Sequence, residues 1–150
     1  MKNLLRILFL FVALSGCNYE PIFSSKNTGF SIGNIETSYN NNITQELVKS
    51  LKIYQNYNKE TIYDVKISAE KIKTVTSKDS KGNIKSFRLT VICKFIILEK
   101  NKVIKSKKFI EYFEFNNDSD KFKLRKYETG IEAELVDKTI KDMVLELYSL

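Results

Sequence analysis

The chain contains no histidine among its 150 residues, and it has only two cysteines and one proline. The absence of histidine excludes a His/Cys metal site and any Ser-His or Cys-His nucleophile pair. Pairs of carboxylates could still serve in acid–base catalysis, but the Asp and Glu residues are scattered and none stands in an apolar cleft motif. We therefore expect no enzymatic activity, no cofactor and no metal.

The chain also lacks a hydrophobic run long enough to cross a membrane, which takes about 20 residues. The apolar stretch at residues 7–14 is shorter than this, follows the basic residues Lys2 and Arg6, and precedes the small residues Ser15 and Gly16. This layout is typical of a cleaved secretory signal. The chain after Cys17 is polar and offers no second hydrophobic span.

The small-residue site ends on Cys17 rather than on an A-x-A-like sequence. Residues 14–17 (LSGC) resemble the lipobox of bacterial lipoproteins, which implies a signal peptide at residues 1–16 and an acylated Cys17 as the first mature residue. Several acyl chains on one residue anchor firmly, because each buried CH₂ contributes about 0.8 kcal/mol. Asn18 is compatible with sorting to the outer membrane. The alternative is an ordinary signal peptide, or an N-terminal anchor, with a chance cysteine.

If Cys17 is acylated, Cys93 is the only thiol left, so no intramolecular disulfide can form. Cys93 falls in the apolar stretch VICKFIIL and is predicted to be a small buried hydrophobic residue.

The mature form is basic. Without Lys2 and Arg6, 23 of the 25 basic residues remain against 18 acidic ones, a net charge of +5. Such a domain could be attracted to anionic lipid head groups or to an acidic protein surface. The alternative is that this composition, rich in Lys, Asn and Ile, reflects an AT-rich genome. We expect no nucleic-acid partner.

After a tether at residues 17–28, periodicity predicts one domain over residues 29–150. A short strand near Phe30 is followed by an amphipathic helix of about four turns, preceded by cap candidates at residues 40–42. Strict alternation from Tyr63 to Ala69 predicts a half-buried strand, and the change of phase at Ile72 indicates a bulge. Residues 77–83 (SKDSKGN) predict a hairpin turn.

Two further strands and a long helix complete the domain. The first of these strands presents one apolar face: Phe87, Leu89, Val91, Cys93, Phe95 and Ile97. The second spans residues 103–115. The helix is predicted to bury a stripe made of Tyr127, Ile131, Leu135, Val136, Ile140, Met143, Val144 and Leu147. The order β-α-β-β-β-α predicts an α+β two-layer sandwich, a four-stranded, mainly antiparallel sheet with two helices on one face.

The sheet face opposite the helices is unexpectedly apolar. It is predicted to hold Ile92, Ile96, Leu98, Ile110 and Tyr112. Exposed apolar patches of this kind often mark a protein partner. The alternatives are a central strand that is apolar on both sides, or a change of phase beyond the bulge.

These features together resemble the LPS-assembly lipoprotein family LptE. The start of the mature chain, residues 17–23 (CNYEPIF), is similar to that family's lipidated Cys-Gly-aromatic-x-Pro-aliphatic-aromatic opening, except that Asn18 stands where glycine is usual. The order of elements is similar across essentially the whole mature chain. The resemblance implies a non-enzymatic lipoprotein, anchored on the periplasmic side of the cell outer membrane. It also implies that the protein plugs and helps assemble the β-barrel LptD, and takes part in inserting lipopolysaccharide into the outer leaflet.

The resemblance also implies lipopolysaccharide contacts at the hairpin between the second and third strands and near the start of the last helix. The basic residues there are Lys78, Lys81, Lys85, Lys121, Lys123, Arg125 and Lys126. Arg88 and Arg125 are the only mature arginines, and a planar guanidinium suits phosphate. The alternative for these residues is a solvated, lysine-rich surface. The alternative for the whole protein is a stand-alone envelope lipoprotein that binds a small ligand or inhibits an envelope enzyme.

Overall fold

The computed structural model describes residues 29–55 and 59–150. The predicted signal peptide at residues 1–16, the lipidated Cys17 and the tether at residues 17–28 lie outside the described residues. The elements are β1 (Phe30–Thr37), α1 (Asn42–Leu51) with a 3-10 turn (Lys52–Tyr54), β2 (Thr61–Lys78), β3 (Ile84–Glu99), β4 (Lys102–Asn116) and α2 (Lys121–Tyr148). In this part of the chain, neither α1 nor α2 is long and apolar enough to cross a membrane.

The four strands form one sheet in the order β1-β2-β3-β4. β1 pairs with β2 in parallel, because α1 returns the chain to the same end of the sheet, whereas the other two pairings are antiparallel. Both helices pack on one face of the sheet and share its hydrophobic core. The predicted order of elements and the two-layer α+β architecture are confirmed.

Both helices begin at side-chain caps, and the cap of α1 is one of the predicted residues 40–42. The Oδ1 atom of Asn41 accepts a hydrogen bond from the Thr44 N–H at 2.9 Å, and its Nδ2 donates to the Ala69 carbonyl at 2.7 Å. The same side chain therefore starts α1 and ties it to β2. In α2, the carboxylate of Asp120 accepts from the N–H groups of Phe122 and Lys123.

β3 supplies the centre of the core. Its alternate residues Leu89, Val91, Cys93, Phe95 and Ile97 are all essentially inaccessible to solvent. Burial raises the pKa of the Cys93 thiol to about 12, so the thiol stays neutral and packs as an apolar group. The prediction for Cys93 is confirmed.

The bulge predicted at Ile72 is wrong. β2 pairs with β3 in an unbroken register from Asp64 to Val75, and the first register shift comes after Val75. Ile72 therefore lies on the sheet face away from the helices. Lys71 and Lys73 take the helix-facing positions, where alternation would have placed apolar residues.

The buried stripe of α2 is confirmed except at its start. Tyr127 is 53% exposed, and Leu124 occupies the buried position one turn earlier. The Tyr127 ring meets the Phe115 ring edge-on, with 6.1 Å between the ring centroids. Ile140 is half-buried against the core.

Candidate partner and lipid-contact surfaces

The sheet face away from the helices, here called the open face, includes alternate residues of β2, β3 and β4, with Glu36 of β1 beside Lys66 at its edge. Register and alternation assign to it Asp64, Lys66, Ser68, Glu70, Ile72 and Thr74 of β2; Arg88, Thr90, Ile92, Lys94, Ile96 and Leu98 of β3; and Ser106, Lys108, Ile110, Tyr112 and Glu114 of β4. All five residues predicted for a partner face are among them.

Those five residues differ in how much surface they offer. Ile110 and Tyr112 are 52% and 60% exposed, Ile92 and Ile96 are half-buried, and Leu98 is only 8% exposed. Leu98 therefore contributes little to any contact surface. The role of the five residues in binding a partner stays a prediction.

Ile72 extends this surface, and the sequence did not identify it because it was assigned to a bulge. Ile92 lies opposite Ile110, and Thr90 lies between Ile72 and Tyr112 in the register. The side chains of Ile72, Ile92, Ile110 and Tyr112 thus form one apolar patch. Ile92 and Ile110 are direct cross-strand neighbours, which stand about 5 Å apart, and Ile72 and Tyr112 are diagonal neighbours of Ile92, at about 7–8 Å.

Arg88 is already occupied. Its Nε donates to the Glu114 carboxylate at 2.9 Å, and its guanidinium carbon lies 4.9 Å from the centroid of the Tyr112 ring. The planar fork that made Arg88 attractive for phosphate therefore holds β3 to β4 on the open face.

Lys94 and Lys108 lie directly opposite each other on β3 and β4, beside the apolar patch. Both side chains are exposed. Within residues 29–55 and 59–150, neither ammonium group has a carboxylate within 4.0 Å or a hydrogen-bond acceptor. Lys66, on the same face, is instead paired with Glu36 at 2.7 Å.

The two predicted basic segments come together at one end of the sheet. Asn117, in the loop between β4 and α2, donates from its backbone N–H to the Lys85 carbonyl at 2.7 Å and from its side chain to the Ile84 carbonyl at 2.9 Å. These bonds hold the start of α2 against the start of β3. The surface that results, here called the basic end, comprises Lys78, Lys81, Lys85, Lys121, Lys123, Arg125 and Lys126, and all seven are exposed.

Asp79 shapes the hairpin tip of the basic end. Its carboxylate accepts hydrogen bonds from the backbone N–H groups of Lys81 and Asn83 at 2.9 and 2.8 Å, and from the Asn83 side chain at 3.0 Å. The Asn83 bonds, chiefly, hold the pKa of Asp79 below its ordinary value. Gly82 adopts φ +84°, which favours glycine. The sequence predicted a turn here but not that Asp79 orders the backbone at Lys81.

A groove of about 960 Å³ lies between β4 and α2 at the basic end. Phe113 and Tyr127 contribute aromatic surface to it. Its charged lining residues are of both signs: Lys123, Lys126, Glu114, Asp118 and Glu134. A smaller groove of about 500 Å³, between β1 and α1, is lined largely by polar side chains such as Asn34, Asn40 and Gln45.

No protein-family profile matches the chain, and no curated protein matches its sequence. Solved structures do match. Rare lipoprotein B from Shewanella oneidensis is 12% identical, with a TM-score of 0.62 over 79% of this chain and 95% of that one. A minor lipoprotein from Acinetobacter baumannii is 11% identical, with a TM-score of 0.61 over 81% and 91%. Lipoprotein B from Nitrosomonas europaea is 14% identical, with a TM-score of 0.57 over 76% and 79%.

The chain has the fold of these bacterial lipoproteins. At such identities the likeness concerns the backbone and not the side chains. What the open face and the basic end can bind therefore follows from the chemistry of this chain's own residues.

Proposed function

We propose that this chain is a non-enzymatic outer-membrane lipoprotein of the LptE family, tethered through Cys17 on the periplasmic side. It plugs the LptD β-barrel, helps the barrel assemble and takes part in inserting lipopolysaccharide into the outer leaflet. The lipobox, the similarity of residues 17–23 to the family's opening and the fold shared with solved lipoproteins support this proposal.

The observation on which the proposal chiefly depends is the convergence of the two basic segments. They are separated by some 40 residues of chain, yet the Asn117 hydrogen bonds bring them to one end of the sheet. Of the seven cations, only the Lys121 ammonium has partners within the described residues: it donates to the Asp118 carbonyl at 3.1 Å and to Asn117 Oδ1 at 3.3 Å. Cations left free in this way can form charge-assisted hydrogen bonds to phosphorylated sugars. The groove beside them offers apolar surface for an acyl chain.

The barrel partner is tested by affinity purification of the full-length, lipidated chain from a detergent extract of outer membranes. We expect a β-barrel protein of much larger mass to co-purify. Recovery of the lipoprotein alone, from an extract in which the barrel is detected, would contradict the proposal. The Cys17→Ala variant tests the tether in the same cells and should no longer incorporate labelled fatty acid.

The lipid contact is tested with the double variant Lys81→Glu/Arg125→Glu. Charge-assisted hydrogen bonds each contribute about 1.5–3 kcal/mol, so binding of purified lipopolysaccharide should weaken about tenfold or more. The matched control is Lys100→Glu/Lys102→Glu, which makes the same change of charge at the opposite end of β3 and β4. Far-UV circular dichroism should show both variants folded. Equal binding by the two double variants would exclude Lys81 and Arg125 as the contact.

A further inference from the structure

Two lysines on the open face stand in an unfavourable place for the free domain. Lys94 and Lys108 are cross-strand partners, with Ser68 opposite Lys94 on the other side. Like charges directly opposite each other in an antiparallel pair lower stability. No carboxylate of the described residues compensates them, although this chain pairs other lysines of the sheet with acids at 2.5–2.7 Å.

The surroundings of the pair have the composition of a protein contact. Ile92 and Ile110 stand on one side of the two ammonium groups along the strands, and Ile96 stands on the other. A carboxylate placed between the ammonium groups would relieve their repulsion. Its aliphatic neighbours could then cover Ile110 and Tyr112, which are more than half exposed.

We propose that Lys94 and Lys108 receive a carboxylate from an acidic, partly apolar protein surface, and that the open face is the side on which this protein docks to its barrel partner. This assignment rests on the proposed function, which places the domain in the polar lumen of a β-barrel. A lumen wall can supply a carboxylate beside apolar side chains.

The charges of the open face favour a protein over a membrane. Both signs of charge occur there, since Glu36, Asp64, Glu70 and Glu114 lie on the same face as Lys66, Arg88, Lys94 and Lys108. Attraction to an anionic membrane depends on the net charge of the face, which is small, and the membrane repels the carboxylates. A protein surface can instead match individual charges. A second copy of the same face is also disfavoured, because it would bring two more ammonium groups to the same position.

The test uses the affinity-tagged, full-length, lipidated chain purified from its own outer membranes. It compares wild type with Lys94→Glu/Lys108→Glu and with the control Lys100→Glu/Lys102→Glu. The first variant replaces one like-charged pair by another, so the melting temperature should stay unchanged. We expect it to lower the recovery of barrel per lipoprotein about tenfold, whereas the control recovers the barrel as wild type does.

The single variant Lys94→Glu adds a readout that a folding defect cannot mimic. It converts the repulsive pair into an attractive one, so the melting temperature should rise by a few degrees while the recovery of barrel falls. A fall in both quantities would overturn the assignment.

Other outcomes are separable. Recovery of the barrel with Lys94→Glu/Lys108→Glu at the wild-type level would overturn the docking site and leave the proposed function standing. An equal loss of barrel recovery with Lys100→Glu/Lys102→Glu would also overturn the docking site, because the change in net charge would then be the cause. If the recovery of barrel is unchanged but less lipid co-purifies, the open face binds lipid and the proposal is overturned. If the recovery of barrel is unchanged but a differently tagged second copy is captured less, the face mediates self-association and the proposal is again overturned. Failure of wild type to recover any barrel would overturn the proposed function and this assignment with it.

Discussion

On the helix-covered face of the sheet, Lys71 and Lys73 of β2 reach Glu132 and Glu128 of α2, and Lys105 and Lys107 of β4 reach Glu146. On the open face, Lys94 and Lys108 have no carboxylate partner within the described residues. These four lysines of the covered face are thus paired by the chain's own helix. On the open face Lys66 is paired with Glu36, whereas Lys94 and Lys108 are not paired. The carboxylate partners on the covered face come from α2, and Lys94 and Lys108 are the pair for which we propose an external carboxylate.

Apolar residues show the same contrast. Phe95 is fully buried beneath the helices, whereas Ile110, on the neighbouring strand, is largely exposed on the open face. Burial on the helix side stabilises the free domain, and exposure on the open face leaves apolar area available for binding.

The largest expected effect compares these two residues. Phe95→Ala should lower the free energy of unfolding by about 3–5 kcal/mol, because it leaves a cavity in the core. Ile110→Ala should change it by less than about 0.5 kcal/mol. Urea denaturation of the two variants and wild type measures both. A loss of stability at Ile110 as large as that at Phe95 would show that the open face is packed within the domain.

A smaller effect is expected in the covering helix. Gly130 lies exposed inside α2, and a Cβ added there would meet no atom within 4 Å. Gly130→Ala should therefore raise the free energy of unfolding by up to about 1 kcal/mol. Ala133→Gly, at another exposed position of the same helix, is the matched control and should lower it by a similar amount. A destabilised Gly130→Ala variant would show that the helix surface at this position is not free.

The smallest effect concerns the ion pairs of the covered face. Hydrogen bonds from Lys105, and then Lys107, hold the pKa of Glu146 below its ordinary value, despite the opposing effect of burial. The stabilisation is therefore present above the unfolded-state pKa and is lost as the pH falls through the folded-state pKa. Glu146→Gln should cost about 0.5 kcal/mol at pH 7 and nothing at low pH.

Urea denaturation at several pH values between about 7 and 3 checks this dependence. Glu134→Gln, on the same helix, removes a carboxylate without an ion pair in the described part of the chain and should leave the pH profile as in wild type. If the free energy of unfolding of Glu146→Gln depends on pH in the same way as that of wild type, the ion pairs of Glu146 do not stabilise the domain.

Local periodicity predicted most of the fold, because alternate residues from Leu89 to Ile97 meet the same core and repeat at the period of a strand. It was wrong at Ile72, because Lys71 and Lys73 stand on the covered face and pair with glutamates far along the chain. A local pattern contains no information about such distant partners. At the start of α2, Leu124 is buried and Tyr127 is exposed.

The candidate surfaces were predictable in composition but not in arrangement. The seven basic residues were chosen from two segments, and their meeting depends on the two Asn117 hydrogen bonds. The isolation of Lys94 and Lys108 depends on strand register, which sets them opposite each other and away from Glu36 and Glu114. Neither feature can be derived without the pairing of β3 with its neighbours.

The central claim is that the open face binds the barrel. A photo-cross-linking amino acid at position 110, in the full-length lipidated chain in living cells, tests it most directly. Position 145, exposed on α2, provides the comparison on the other side of the molecule. We expect an adduct between the lipoprotein and a β-barrel protein from position 110, abolished by Lys94→Glu/Lys108→Glu. A barrel adduct from position 145 with none from position 110 would contradict it.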